Sequence, residues 1–148
     1  MPEIIGFDHL YLAVADLAAA EDFYDRAFIA ALGFRKNRFA LGGAPHVHYY
    51  NRHFGYVLRP ATAPPAATGA PGLNHLCLRV ESVADVAAVA VRLAELGIAT
   101  TPARCFPDYA PDYWATYFSD RDGNRLEVTN YRQERRQRHD AWDAAGQG

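Results

Sequence analysis

Two histidines stand at matching positions of two similar segments. Residues 8–14 read DHLYLAV and residues 74–80 read NHLCLRV, so His9 and His75 each follow a polar residue and precede an alternating apolar pattern. An imidazole titrates near neutral pH and is also a common metal ligand, so it serves either proton transfer or metal binding. A single histidine on a strand is more often structural, but two at matching positions make His9 and His75 the first candidates for chemistry.

Three more histidines lie close together further along the chain. His46 and His48 share one face of an alternating segment with Tyr50, and His53 lies at the turn that follows. One of these imidazoles could act as a general acid or base at neutral pH. The alternative is a solvent-facing strand with no catalytic role.

A loop rich in proline and aromatic residues precedes the last strands. Residues 107–114 read PDYAPDYW and contain Tyr109, Tyr113 and Trp114. Such a loop is suited to cover an apolar ligand pocket, and it could equally form a satellite core or a dimer contact. Cys77 shares a face with His75, either near the site or as a small buried residue.

The elements that position these residues are also repeated. Period-2 alternation predicts a strand at each histidine segment. After the first strand, Asp16 is a helix N-cap for a helix from Leu17 to Leu32, which ends at Gly33. After the second strand, Ser82 and Asp85 resemble a capping box for a helix from Val83 to Leu96, which ends at Gly97.

Each helix is followed by segments typical of β-structure. The predicted strands of the second repeat are Trp114 to Ser119 and Arg125 to Tyr131, joined by a turn at 120–124 that contains Asp-Gly. The corresponding strands of the first repeat are Val47 to Asn51 and Phe54 to Leu58, and one further strand is expected near 34–41 and near 98–105. The chain therefore reads as two β-α-β-β-β units of the α+β class.

The composition of the chain limits its possible domain organisation and the classes of function it could have. The 148 residues are 50% hydrophobic and 22% charged with a net charge of −2, which is typical of one globular domain and gives no general attraction to nucleic acid or anionic lipid. We expect a first module at 1–60, a Pro- and Ala-rich linker at 61–71, a second module at 72–131 and a polar, Arg-rich tail at 132–148. No membrane span, signal peptide or cysteine scaffold is expected, so a cytoplasmic protein is predicted.

With these motifs the chain resembles the vicinal oxygen chelate superfamily, which includes glyoxalase I, extradiol dioxygenases, fosfomycin-resistance transferases and bleomycin-binding proteins. The matching segments are FDHLYLAVADL at 7–17 with Phe23-Tyr24, GLNHL at 72–76, and DRDGNRLE at 120–127. The resemblance implies two β-α-β-β-β modules that form a cupped mixed sheet with helices on the outer face.

The resemblance also implies a metal site inside the cup. Its ligands would be His9, His75 and Glu127, with Tyr56 at the fourth position when the hairpins are aligned by sequence. Two imidazoles and one carboxylate suit Fe(II), Mn(II) or Zn(II). Glu127 and Tyr56 are then the catalytic candidates, and the pocket candidates are Tyr11, His48, Tyr50, Tyr109, Tyr113 and Trp114.

The resemblance leaves the activity open. A tyrosine at the fourth position disfavours glyoxalase I itself, the usual extradiol enzymes carry more such units, and the only lysine, Lys36, is poorly placed for a fosfomycin-type transferase. The expectation is a metal-dependent lyase, isomerase or dioxygenase that acts on a small oxygenated metabolite able to chelate the metal. The alternative is a metal-free binding protein of the bleomycin-resistance type. A homodimer is expected in either case, without nucleic-acid or membrane partners.

Overall fold

The computed structural model describes residues 2–145 and divides into two compact units. The first unit comprises residues 1–72 with Asp120–Asn124, and the second comprises residues 73–119 with 125–148. Each unit has the order β-α-β-β-β, which confirms the predicted α+β class and the repeat. The short turn at 120–124 belongs to the second repeat in the sequence but packs with the first unit in the structure.

The first unit is a four-stranded mixed sheet with one helical layer. Its strands lie in the order β1-β4-β3-β2, with β1 parallel to β4 and the other pairs antiparallel. Leu58 of β4, Val14 of β1 and Tyr24 of the helical layer are completely buried, which places the core between the sheet and the helix. The elements are β1 (His9–Val14), α1 (Leu17–Tyr24), a π-helical segment (Asp25–Ala31), β2 (Arg35–Leu41), β3 (Ala44–Tyr50) and β4 (Gly55–Pro60).

The predicted helix from Leu17 to Leu32 forms as a helical run from Leu17 to Ala31 that changes type halfway. Asp16 caps its start, because the Asp16 side chain accepts a hydrogen bond from the Ala19 N–H at 3.0 Å. The second half is a π-helix, in which the consecutive residues Ala27 and Phe28 are both fully buried. Gly33, with φ of +73°, ends the helical run as expected.

The second unit repeats this plan with its own core. Its strands lie in the order β5-β8-β7-β6, with β5 parallel to β8. The capping box of Ser82 and Asp85 forms as predicted at the start of α2. The elements are β5 (His75–Val80), α2 (Val83–Glu95), β6 (Arg104–Cys105), β7 (Trp114–Ser119), β8 (Arg125–Asn130), α3 (Gln133–Asp140) and α4 (Trp142–Ala145).

Strand β6 is much shorter than the segment expected near 98–105. Only Arg104–Cys105 forms a strand, and Thr100 makes an isolated bridge to Phe118. Pro102 lies between these two points and has no N–H for a ladder hydrogen bond, so the pairing is interrupted there. Within residues 2–145 no helix has the length and apolar character needed to cross a membrane.

Candidate functional site

His75 and Glu127 meet on one face of the second sheet. In the parallel pairing of β5 with β8, His75 lies opposite Arg125 and Cys77 lies opposite Glu127, so all four side chains project to the same side. His75 Nε2 is 3.1 Å from Glu127 Oε2, and the Glu127 side chain is only 2% exposed. The structure therefore brings together two of the three predicted ligands.

The preceding residue fixes the orientation of the His75 ring. His75 Nδ1 is 2.8 Å from the amide oxygen of Asn74, so the Nδ1–H donates to Asn74. In the neutral ring Nε2 then carries a lone pair, and that lone pair is aimed at a carboxylate oxygen. The separation of 3.1 Å is that of a hydrogen bond between the two groups or of two ligands that share one metal ion.

Two tyrosines and a thiol surround the Glu127 carboxylate. The Tyr113 hydroxyl donates to Oε1, and Tyr117 on the neighbouring strand lies directly opposite Glu127. Partial burial, reinforced by the Glu127 carboxylate, raises the pKa of Tyr117 to about 12. Cys77 is exposed, so it is not the small buried residue that the sequence offered as an alternative. Partial desolvation of its thiol and the same carboxylate raise the pKa of Cys77 to about 12, so Cys77 stays protonated at neutral pH.

His9 has the same local orientation in the first unit. Its Nδ1 is 2.6 Å from the carboxylate of the preceding Asp8, which leaves Nε2 free as an acceptor. The parallel pairing of β1 with β4 places His9 opposite Gly55. Asp8 and Asn74 thus play equivalent parts in the two units.

His48 lies over the same glycine. A Cβ atom at Gly55 would come within 2.5 Å of His48 Nε2 and 3.4 Å of the His9 Cβ, so the imidazole of His48 occupies the space that a side chain at Gly55 would fill. Burial and the adjacent His9 lower the pKa of His48. The lowered pKa of His48 favours the neutral form of its ring, which has one donor and one acceptor nitrogen.

These residues line a cavity of about 400 Å³ in the first unit. Its wall combines aromatic rings with imidazoles and includes the predicted pocket residues Tyr11, His48 and Tyr50 together with His9. His46 lies outside this wall: it is 2% exposed, its ring stacks on Phe39 at 4.8 Å, and its Nδ1 is 2.9 Å from the Ala44 carbonyl oxygen. The remaining lining residues are Asp8, Phe39, Asn51, Arg52, His53, Phe54, Gly55 and Val57.

Tyr56 does not occupy the position that corresponds to Glu127. Because His9 pairs with Gly55 and His75 pairs with Arg125, the counterpart of Glu127 two residues further along is Val57. Tyr56 projects to the opposite, helix-covered face, where it is 2% exposed and its hydroxyl is 2.9 Å from the Tyr24 hydroxyl. The alignment of the hairpins by sequence was therefore displaced by one residue, and the fourth position is apolar.

The predicted aromatic loop divides between two locations. Tyr113 reaches Glu127, and the ring of Tyr109, which is 64% exposed, is 5.2 Å from the Tyr113 ring. Trp114 has the opposite strand parity to Tyr117, so it lies on the other side of β7 from the carboxylate. Among residues 2–145 no three His, Cys, Asp or Glu side chains are gathered as a metal site.

Comparison with protein families gives a match over most of the chain. The model of the glyoxalase/bleomycin resistance protein/dioxygenase superfamily matches residues 6–128. The chain belongs to this superfamily. No curated protein sequence is significantly similar to this superfamily member.

Solved structures of the superfamily share its fold. A glyoxylase/bleomycin resistance protein/dioxygenase domain from Frankia sp. EAN1pec is 27% identical, with a TM-score of 0.71 over 88% of this chain and 100% of that chain. Lactoylglutathione lyase from Agrobacterium tumefaciens is 25% identical, with a TM-score of 0.60 over 87% and 94%. The fosfomycin resistance protein FosX from Listeria monocytogenes is 19% identical, with a TM-score of 0.65 over 90% and 99%, and a mutant of FosX has been solved with Mn(II).

Sequence reasoning missed three of the side chains around Glu127. Tyr117 follows from the antiparallel pairing of β7 with β8, and Arg125 follows from strand parity, since it lies two residues before Glu127. Arg132, beyond the end of β8, stacks on Tyr113, and nothing in its local sequence indicates that contact.

Proposed function

We propose that this superfamily member is a metal-dependent enzyme that acts on a small oxygenated metabolite. His75 and Glu127 would be the core of the metal site and His9 its third ligand. The observation that supports this proposal most directly is the distance of 3.1 Å between His75 Nε2 and Glu127 Oε2. The Nδ1 atom of the same ring is hydrogen-bonded to Asn74.

The donor set fits a divalent cation. Nitrogen and oxygen ligands bind such ions at roughly 2.0–2.2 Å, so two ligands at right angles on one ion lie about 3 Å apart. The observed separation of 3.1 Å agrees with that value. Imidazole and carboxylate donors suit Fe(II), Mn(II) or Zn(II), and the structural relative FosX has been solved with Mn(II).

A bound metal would act as a Lewis acid on a substrate with two neighbouring oxygen atoms. The residues of the chain prepare the site for it. Asn74 fixes the His75 tautomer, and the Tyr113 hydroxyl satisfies Glu127 Oε1 so that Oε2 remains directed at His75. Glu127, buried and held from both sides, is the candidate for proton transfer to or from a bound substrate. Lyase, isomerase and dioxygenase chemistry are all compatible with these roles.

Metal analysis of the purified protein tests this proposal. After reconstitution with each of the three ions, we expect near-stoichiometric metal in the wild type and its loss in Glu127→Gln and His75→Ala. His9→Ala should also lose metal if His9 is the third ligand. Asn74→Ala should weaken metal binding by roughly 10–100-fold, as removal of an outer-shell partner does. His139→Gln, whose ring is exposed on α3, is the matched control.

Circular dichroism of each variant separates loss of the site from loss of the fold. Full metal content in Glu127→Gln would show that the assignment is wrong.

The cavity of the first unit supports a second candidate function, a metal-free binding protein. Its aromatic wall includes Tyr11, Phe39 and Tyr50, which suits a flat organic ligand. This function predicts a background metal content after every reconstitution and ligand affinity that a chelator does not change. Either function is proposed for a homodimer, which light scattering of the purified protein tests.

A further inference from the structure

In the first unit the position that corresponds to Glu127 holds no donor atom. That position is Val57, and Gly55, two residues before it, has no side chain. Both residues line the cavity of the first unit, and His9 lies opposite Gly55 in the β1–β4 pairing. Strand β4 therefore leaves a space beside His9 where a further ligand is missing.

The ring of His48 occupies that space. His48 pairs with Val57 across β3 and β4, but its ring leans along the sheet over Gly55. A Cβ atom built at Gly55 would lie 2.5 Å from His48 Nε2 and 3.4 Å from the His9 Cβ. The side chains of His48 and His9 therefore approach one backbone position from the two strands that flank β4.

The ring nitrogens of His48 are not engaged by the protein. Within the part of the chain that the structure describes, neither nitrogen has a hydrogen-bond partner, whereas Nδ1 of the buried His46 is 2.9 Å from the Ala44 carbonyl oxygen. The His48 ring packs against Tyr50, with 5.2 Å between the ring centres. Its nitrogens thus face a cavity of about 400 Å³ whose wall also includes His9.

We propose that His48 binds the metal ion together with His9, in the place where Val57 supplies no donor. This inference rests on the proposed function, in which His9 is a ligand of the ion. It assigns to an imidazole on β3 the ligand role predicted for Tyr56. A neutral imidazole offers the ion a lone pair, and imidazole ligands suit Zn(II) and Fe(II), whereas Mg(II) and Ca(II) prefer oxygen ligands.

A role in the cavity wall alone makes a different prediction. If His48 only fills the space over Gly55, His48→Phe would place a ring there and leave the metal affinity unchanged. If His48 is a ligand, the same variant removes its donor nitrogen and weakens binding. Gly55→Ala is the complementary variant, because it keeps the imidazole but displaces it.

Competition titration of Zn(II) against a chromophoric chelator measures these effects. His48→Phe and Gly55→Ala should each weaken Zn(II) binding by at least about 10-fold, the lower limit for loss of even an outer-shell partner. His139→Phe, at an exposed ring on α3, is the matched control and should change the affinity by less than about twofold. Wild-type affinity in His48→Phe would overturn the proposal.

NMR of the wild-type protein tests coordination without any substitution, so it does not depend on how well a variant folds. Long-range proton–nitrogen-15 spectra of the histidine rings are recorded with and without Zn(II). We expect a ring nitrogen of His48 to shift on metal binding together with one of His9, while the His139 signals stay in place. A His9 shift with an unchanged His48 ring would contradict the ligand role of His48.

The same spectra separate this inference from the proposed function. Shifts of His48, His9 and His75 together support both. Shifts of His48 and His9 without His75 support the ligand role of His48 and contradict the proposed His75–Glu127 core. Protein that takes up no metal and shows no ring shifts contradicts the proposed function, and the ligand role of His48 falls with it.

Discussion

Replacement of Tyr56 by phenylalanine should lower the free energy of unfolding by about 1 kcal/mol and leave metal content unchanged. Tyr56 belongs to a buried chain of two hydrogen bonds in the first unit. The Tyr56 hydroxyl donates to the Tyr24 hydroxyl at 2.9 Å, and the Tyr24 hydroxyl donates to Asp120 Oδ2 at 2.7 Å. Burial raises the pKa of both phenols, so each stays neutral and keeps its proton for donation.

The expected loss in the free energy of unfolding depends on the acceptor to which each hydroxyl donates. Tyr56→Phe removes a neutral hydrogen bond and leaves Tyr24 with its charged acceptor, which corresponds to about 0.5–1.5 kcal/mol. Tyr24→Phe removes the donor to the carboxylate, which corresponds to about 1.5–3 kcal/mol. Asp120 retains the Asn124 N–H and side-chain amide, both at 2.8 Å, so the lower half of that range is expected.

Urea unfolding followed by circular dichroism measures these differences. The double variant should lose less than the sum of the two single losses, because Tyr24 and Tyr56 are in direct contact. Tyr11→Phe, at a ring that is 42% exposed, is the control and should stay within about 0.5 kcal/mol of the wild type. A Tyr56→Phe variant that is as stable as the wild type but has lost its metal would refute the reasoning and restore Tyr56 as a site residue.

Two further predictions concern the first unit. Lys36 donates to Glu21 at 2.8 Å and to Asp25 at 2.7 Å, so Lys36→Met should destabilise the protein by roughly 1–3 kcal/mol at pH 7. Burial opposes ionisation of Glu21, but Lys36 and Arg38 outweigh it and lower its pKa below the ordinary 4.5. The lowered pKa means that the Glu21 contribution is present above pH 4.5 and is lost as the pH falls through the folded-state value, so the deficit of the variant should shrink in acid urea titrations. Gly55→Ala should displace the His48 ring, which would shift the His48 and His9 imidazole signals in NMR, while Gly6→Ala, in open space, should shift neither.

Local signals in the sequence were sufficient for most elements of the fold. The alternation around His9 and His75, the Asp16 cap and the Ser82–Asp85 capping box each act over a few residues, and all of them form as expected. The π-helical segment at Asp25–Ala31 and the interruption of β6 depend on packing and pairing partners that are distant in sequence. Periodicity does not distinguish a π-turn from an α-turn over so short a stretch.

Strand register decided which side chains could be placed in the candidate site. The motif at 120–127 includes the strand that carries Glu127, whereas the position predicted for Tyr56 depends on an alignment of two hairpins whose lengths differ. A displacement of one residue moves a side chain to the other face of the sheet, which is why Tyr56 lies in the core and Val57 lies beside the cavity. Proximity to Tyr113 in the loop predicts Trp114 in the pocket, but Trp114 lies in β7 with its side chain on the opposite face to that of Tyr117.

In both repeats the residue before the histidine binds its Nδ1 and so orients the ring. The repeats differ in the residue that lies near Nε2. Asp8 and Asn74 each hold the Nδ1 of the next residue, so both His9 and His75 present Nε2. In the second unit that nitrogen meets Glu127, whereas the corresponding residue of the first unit is Val57. Because a valine supplies no ligand, the first unit lacks its own counterpart of the His75–Glu127 pair. The proposed chemistry therefore predicts one metal ion for each chain, and two bound ions would require ligands other than this pair.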